Sequence, residues 1–191
     1  MQHDTVLSIT LITLAVSILI NVFFIFLVGS IKKKTVTHKI FFFLSTTIIL
    51  WSIVFYISIQ ANPFILSSIF WVRLSVFLAV PMITLFFLLV HTLPHQVLLI
   101  GRRWIVVLVT GNTLVMAIAM SPFLFTHVEI VNDFPSPAAG FGISAFLIFT
   151  TALIFMIVYT FYIRTKRSLP TERRAIWFLM LGTLGMHIPM I

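Results

Sequence analysis

Apolar residues run through this chain in blocks of roughly 20, the length an α-helix needs to cross the hydrocarbon core of a bilayer. Charged or loop-forming residues interrupt them at close to that spacing. The pattern predicts helices over 5–29, 40–60, 68–91, 104–124 and 140–163, with a sixth apolar run over 175–191. The breaks are the basic turn Ser30 to Lys39, the turn signal Asn62-Pro63, and Leu93-Pro94 with the segment leading to Arg102-Arg103. Two more follow: the polar stretch Thr126 to Ala139, and the basic loop Arg164 to Arg174. The expected fold is all-α, a polytopic membrane helical bundle forming a single transmembrane domain over residues 1–191. It has five complete helices and a sixth cut short, since that run ends at membrane depth in Met186-His187-Ile188-Pro189-Met190-Ile191.

Composition sharpens the class. Hydrophobic residues make up 61% and charged residues 8% of the 191 positions, and the mean hydropathy is +1.20. About a quarter of an ordinary globular chain is charged, so lipid must receive most of these apolar side chains. In a soluble protein the net charge of +8 would suggest nucleic acid. Here its placement reports orientation instead, and no nucleic-acid partner is expected. Lys32, Lys33, Lys34, Lys39, Arg102, Arg103, Arg164, Lys166, Arg167, Arg173 and Arg174 all fall in alternate loops, on one side of the membrane. Asp4, Glu129 and Asp133 fall on the other. Cytoplasmic loops carry the basic excess, so the N-terminus is expected outside, in a multi-pass protein of the cytoplasmic membrane. The first helix is not a secretory signal, because its charges follow the apolar run instead of preceding it. With no cysteine, disulfides and thiol chemistry are excluded.

Polar groups at membrane depth are candidate functional sites, because burying them in lipid is costly. Arg73 sits roughly 8 Å into the third helix at 1.5 Å per residue. Its guanidinium either snorkels to the headgroups or binds an anionic ligand or the loop acids Glu129 and Asp133. His187 lies roughly 18 Å from the basic side, as an inter-helix hydrogen-bonding residue or a proton-sensitive element. Asn21, Thr46 and Asn112, with Thr47, share one depth and are expected to form a polar layer between helices. Pro81 removes a backbone hydrogen bond midway along the third helix and should kink it. Trp71, Trp104 and Trp177 lie near predicted interfaces, as an aromatic belt requires. His127 and Glu129, with His3 and Asp4 in reach, are too few for a metal site, and no metal or cofactor is expected. No lysine is predicted in the membrane for a retinal Schiff base, and there is no phosphate-binding glycine loop, HExxH or GxSxG.

The third helix carries a recognisable pattern: Phe70-Trp71-Val72-Arg73-Leu74, then Pro81, then Phe86-Phe87, ending at His91-Thr92-Leu93-Pro94. Together with Glu172-Arg173-Arg174 and Leu181-Gly182-Thr183 it resembles the N-terminal seven-transmembrane sensor region of bacterial histidine kinases, over essentially the whole chain. The resemblance implies a sensory input region, truncated before the family's seventh helix. It also implies a cytoplasmic kinase or cyclase output domain in the same full-length chain, with homodimerisation left open. These residues contain no catalytic site of their own. A small transporter or channel subunit is the alternative, although no carboxylate is predicted inside the membrane to couple to an ion. A lipid-modifying enzyme would need a catalytic cluster near one interface, where only His91, His95 and the basic residues of the inner surface come close.

Overall fold

The computed structural model describes residues 2–60, 68–93, 96–98, 100–131 and 134–167. Five helices dominate it: α1 Gln2–Gly29, α2 Val36–Gln60, α3 Ser68–Thr92, α4 Arg102–Met120 and α5 Gly142–Arg167. All five are long and apolar enough to cross a membrane. Their surfaces agree, since Phe26, Phe141 and Phe155 are each more than 70% exposed. Apolar exposure on that scale suits lipid and not water. The expected sixth helix, with Trp177 and His187, lies outside the described residues.

Helix α3 is the hub, packing against α2, α4 and α5, while α1 packs against α2. Two apolar clusters hold α3, α4 and α5 together. Phe87, Val90, Leu108, Leu153, Ile157 and Phe161 fill the end nearer the basic loops. Ala119, Leu124 and Phe125 fill the other end, with Val72, Val76 and Phe77 of α3 packed around them. Between α1 and α2, Phe24 packs edge-on to Phe41 with centroids 5.5 Å apart.

Several helix ends differ from the sequence expectation, and for α2 and α4 the reason is local. α2 starts at Val36 and not 40, because Thr35 and His38 cap it reciprocally. The His38 amide donates to the Thr35 hydroxyl over 3.5 Å, and the Thr35 amide donates to His38 Nδ1 over 3.2 Å. This is a capping box with His in the usual Glu position. α4 stops at Met120 and not 124. Ser121 precedes Pro122, which disfavours helical backbone at Ser121, and Ser121 is extended at φ −86°, ψ 162°. α5 begins at Gly142 and continues to Arg167, four residues past the expected end. Lys39 and Lys166, expected in loops, are therefore helical, although both stay at the basic ends of their helices.

The largest departure from an all-helical plan lies between α4 and α5. The polar stretch expected as a loop is an antiparallel hairpin, β1 Phe125–Val131 and β2 Phe134–Ala139. Its pairs include Val131 with Phe134 and Glu129 with Ser136, and the register is irregular between Phe125 and Val128. Pro135 and Pro137 argue against a strand, but proline is tolerated on an edge strand, and a two-stranded hairpin has only edges.

Candidate functional site

The hairpin is fastened to the helices at its base. The Gly140 amide donates to the Leu124 carbonyl and the Gly142 amide to the Phe123 carbonyl, both over 2.8 Å. That closeness requires glycine: a Cβ on Gly140 would sit 2.2 Å from the Phe123 carbonyl oxygen, and one on Gly142 2.8 Å from Ile118 Cγ2. An isolated two-stranded hairpin is marginal at best, so these ties and the burial of Leu124 and Phe125 hold it in place.

Arg73 completes the attachment. Its Nη2 donates to the Phe125 carbonyl over 2.6 Å, linking α3 to the first residue of β1 across 52 positions of sequence. The Arg73 Nε is buried without a hydrogen-bond partner among the described residues. The guanidinium thus ends on protein backbone at the start of the hairpin. Of the acids expected to meet it, the side chain of Glu129 and the whole of Asp133 lie outside the described residues.

Further along α3 the helix passes through Pro81 without a break. Three residues on, the Thr84 hydroxyl lies 2.8 Å from Asn112 Oδ1 on α4 and 3.2 Å from the Val80 carbonyl of its own helix. Its single proton is shared between the two acceptors. Asn112 Nδ2 also reaches Met116 Sδ at 3.1 Å. The other members of the expected polar layer turn to their own helices. Asn21, only 2% exposed, donates from Nδ2 to the Ser17 carbonyl over 2.8 Å. Thr46 and Thr47 donate to the Phe42 and Phe43 carbonyls. Asn112 is therefore joined across helices to Thr84, a residue the depth argument did not select, and not to Asn21 or Thr46.

At the basic end a second arginine grips α3. Arg164 of α5 donates from Nη1 to the Val90 carbonyl over 2.9 Å and from Nη2 to the His91 carbonyl over 3.0 Å. These carbonyls belong to the last turn of α3, beyond the reach of the helix's own i+4 amides, and the Val90 carbonyl also accepts from the Leu93 amide over 3.4 Å. A cation there also suits the negative end of the helix dipole. Beside it, His91 Nδ1 lies 3.0 Å from the Phe87 carbonyl, a contact that needs the proton on Nδ1. The Thr160 hydroxyl donates to the Met156 carbonyl over 2.8 Å, leaving a contact of 3.5 Å to His91 Nε2. The Phe87 and His91 rings pack with centroids 4.2 Å apart. The sequence placed Arg164 in a loop for its charge, and an arginine directly after an apolar block was the only sign of this clamp.

No group of three or more potential metal ligands occurs among the described residues. His127 instead has its Nδ1 3.0 Å from the Thr126 hydroxyl. Of the tryptophans, Trp104 is exposed at the start of α4, whereas Trp51 is buried and stacked on Phe55 with centroids 4.9 Å apart. Compared with protein-family models, curated proteins and solved structures, the chain gives no match.

Proposed function

We propose that this chain is the membrane-embedded sensory input region of a signal-transduction protein in the cytoplasmic membrane, with its N-terminus and hairpin outside. The observation that carries the proposal is that α3 is held at both ends by arginine-to-carbonyl bonds. Arg73 ties one end to the hairpin, and Arg164 of α5 holds the other. Pro81 lies between the two attachments and deprives α3 of one backbone bond. A stimulus that displaces the hairpin would pull on α3, and α3 would pass the movement to α5. Such a device needs two helix arrangements whose balance the stimulus biases. The output domain is proposed to be a histidine kinase in the same full-length chain, on the strength of the third-helix pattern around Arg73, Pro81 and His91.

The first test is to sequence the reading frame beyond the codon for Ile191. A seventh apolar run followed by a phospho-accepting histidine box and an ATP-binding domain is the expected result. A stop codon or further membrane helices would overturn the kinase assignment. In the full-length protein, Arg73→Leu should reduce stimulus-dependent autophosphorylation by about tenfold, as loss of ~1.4 kcal/mol of coupling implies. An unchanged response to every effective stimulus would remove the hairpin-to-α3 path.

A further inference from the structure

A groove lies where α1 ends and α2 begins, and neither Arg73 nor Arg164 lines it. Its walls are Val28 of α1, Lys34 of the turn, and His38, Lys39, Phe42 and Phe43 of α2, enclosing about 260 Å³. The lining is divided by depth. Lys34 in the turn and Lys39 in the first turn of α2 are exposed, whereas Phe42 and Phe43 lie about one helical turn beyond Lys39, roughly 5 Å along α2. Both phenylalanines are exposed on the surface that faces lipid. His38 stands between the two zones, its Nδ1 already engaged by Thr35.

No carboxylate among the described residues lines this groove, and the sequence has no acidic residue between Asp4, at the opposite end of α1, and Glu129. Lys32 and Lys33 add to the positive field from outside the groove walls. Cations at headgroup level above an apolar wall at acyl level match an amphiphile with an anionic head. A soluble anion would leave Val28, Phe42 and Phe43 without an occupant, and a neutral lipid would leave the lysines unpaired.

We propose that this groove binds one anionic phospholipid, with its phosphate between Lys34 and Lys39 and an acyl chain along Val28, Phe42 and Phe43. The site is independent of any signalling role. It would anchor the α1–α2 turn at a fixed depth, since basic residues near a surface each attract anionic lipid.

The test is native mass spectrometry of the whole chain released from detergent micelles containing phosphatidylglycerol or phosphatidylcholine. The expected result is one retained phosphatidylglycerol per chain, favoured over phosphatidylcholine by at least about tenfold. The double substitution Lys34→Gln/Lys39→Gln should weaken retention about 30-fold, the combined effect of two basic residues near a surface. Lys32→Gln/Lys33→Gln removes equal charge outside the groove walls, where it acts only through a salt-screened field, and at physiological ionic strength should change retention by less than about threefold. Equal losses in the two double variants would mean diffuse surface attraction and would overturn the site. Displacement of the lipid by glycerol phosphate at equal concentration would mean a plain phosphate site and would also overturn it, as would equal retention of the two lipids. All four lysines are exposed, so these changes leave the packed interior intact.

Discussion

Polar side chains in this bundle serve mainly to satisfy backbone carbonyls. Thr13, Thr46, Thr47, Thr113 and Thr150 each donate to a carbonyl four residues back, which hides a hydroxyl from lipid without needing a neighbour. Thr84 and Asn112 differ, because their bond crosses from α3 to α4. Such bonds average about 0.6 kcal/mol in membrane proteins and reach about 1.7. A double-mutant cycle with Thr84→Val and Asn112→Leu should therefore give a coupling energy between about 0.5 and 1.7 kcal/mol, read from reversible unfolding in mixed micelles. A value near zero would show that each side chain is satisfied within its own helix. Asn112 stands out in the sequence because a buried amide must find a partner. Thr84, 28 positions away, does not, since helix rotation and crossing decide which faces meet.

At the scale of elements, the hairpin base depends on two glycines with different neighbours from the rest. Gly140 approaches the Phe123 carbonyl so closely that any side chain must displace backbone, whereas Gly29, at the end of α1, has nothing within 4 Å of an added Cβ. Gly140→Ala should destabilise the fold by about 1–3 kcal/mol, as overpacked sites do. Gly29→Ala should stay within about 0.5 kcal/mol. Thermal unfolding in detergent reads both, and equal effects would mean that the hairpin base gives way freely. The hairpin itself had a partial signature in the sequence. Val128, Ile130 and Val131 have strand propensity, and Asn132-Asp133 is a turn pair. The prolines of the second strand and the surrounding polarity pointed instead to a loop. The helices were easier to recognise, because lipid requires each crossing segment to satisfy its own backbone. Their ends were displaced by local chemistry, with the Thr35–His38 cap extending α2 and the Ser121-Pro122 step shortening α4.

For the whole molecule, five described spans separate two surfaces. One carries the α1–α2 turn and the α3–α4 connection, and the other carries the hairpin. With no native cysteine, single-cysteine variants report sidedness directly. His127→Cys on the hairpin should react with a membrane-impermeant maleimide in intact cells, and Lys33→Cys should react only after the membrane is opened. The reverse pattern would invert the orientation inferred from the basic loops, and labelling of both in intact cells would contradict an odd number of spans between them. The two arginine attachments span this layout, one near each surface, and so give α3 a path between them.

The sequence by itself determined the membrane class, the five spans and the side on which the basic residues gather. Those properties follow from hydropathy, length and charge order, each summed over neighbouring residues. It also identified Arg73, Pro81 and Asn112 as unusual for their depth. Only the tertiary structure decided what they touch: the Phe125 carbonyl for Arg73, Thr84 for Asn112, and the α3 terminus for an arginine first assigned to a loop. These partners lie 28 to 74 positions apart in sequence. Local pattern sets the cost of leaving a polar group unpaired in lipid, but the partner that satisfies it is chosen by how the helices pack.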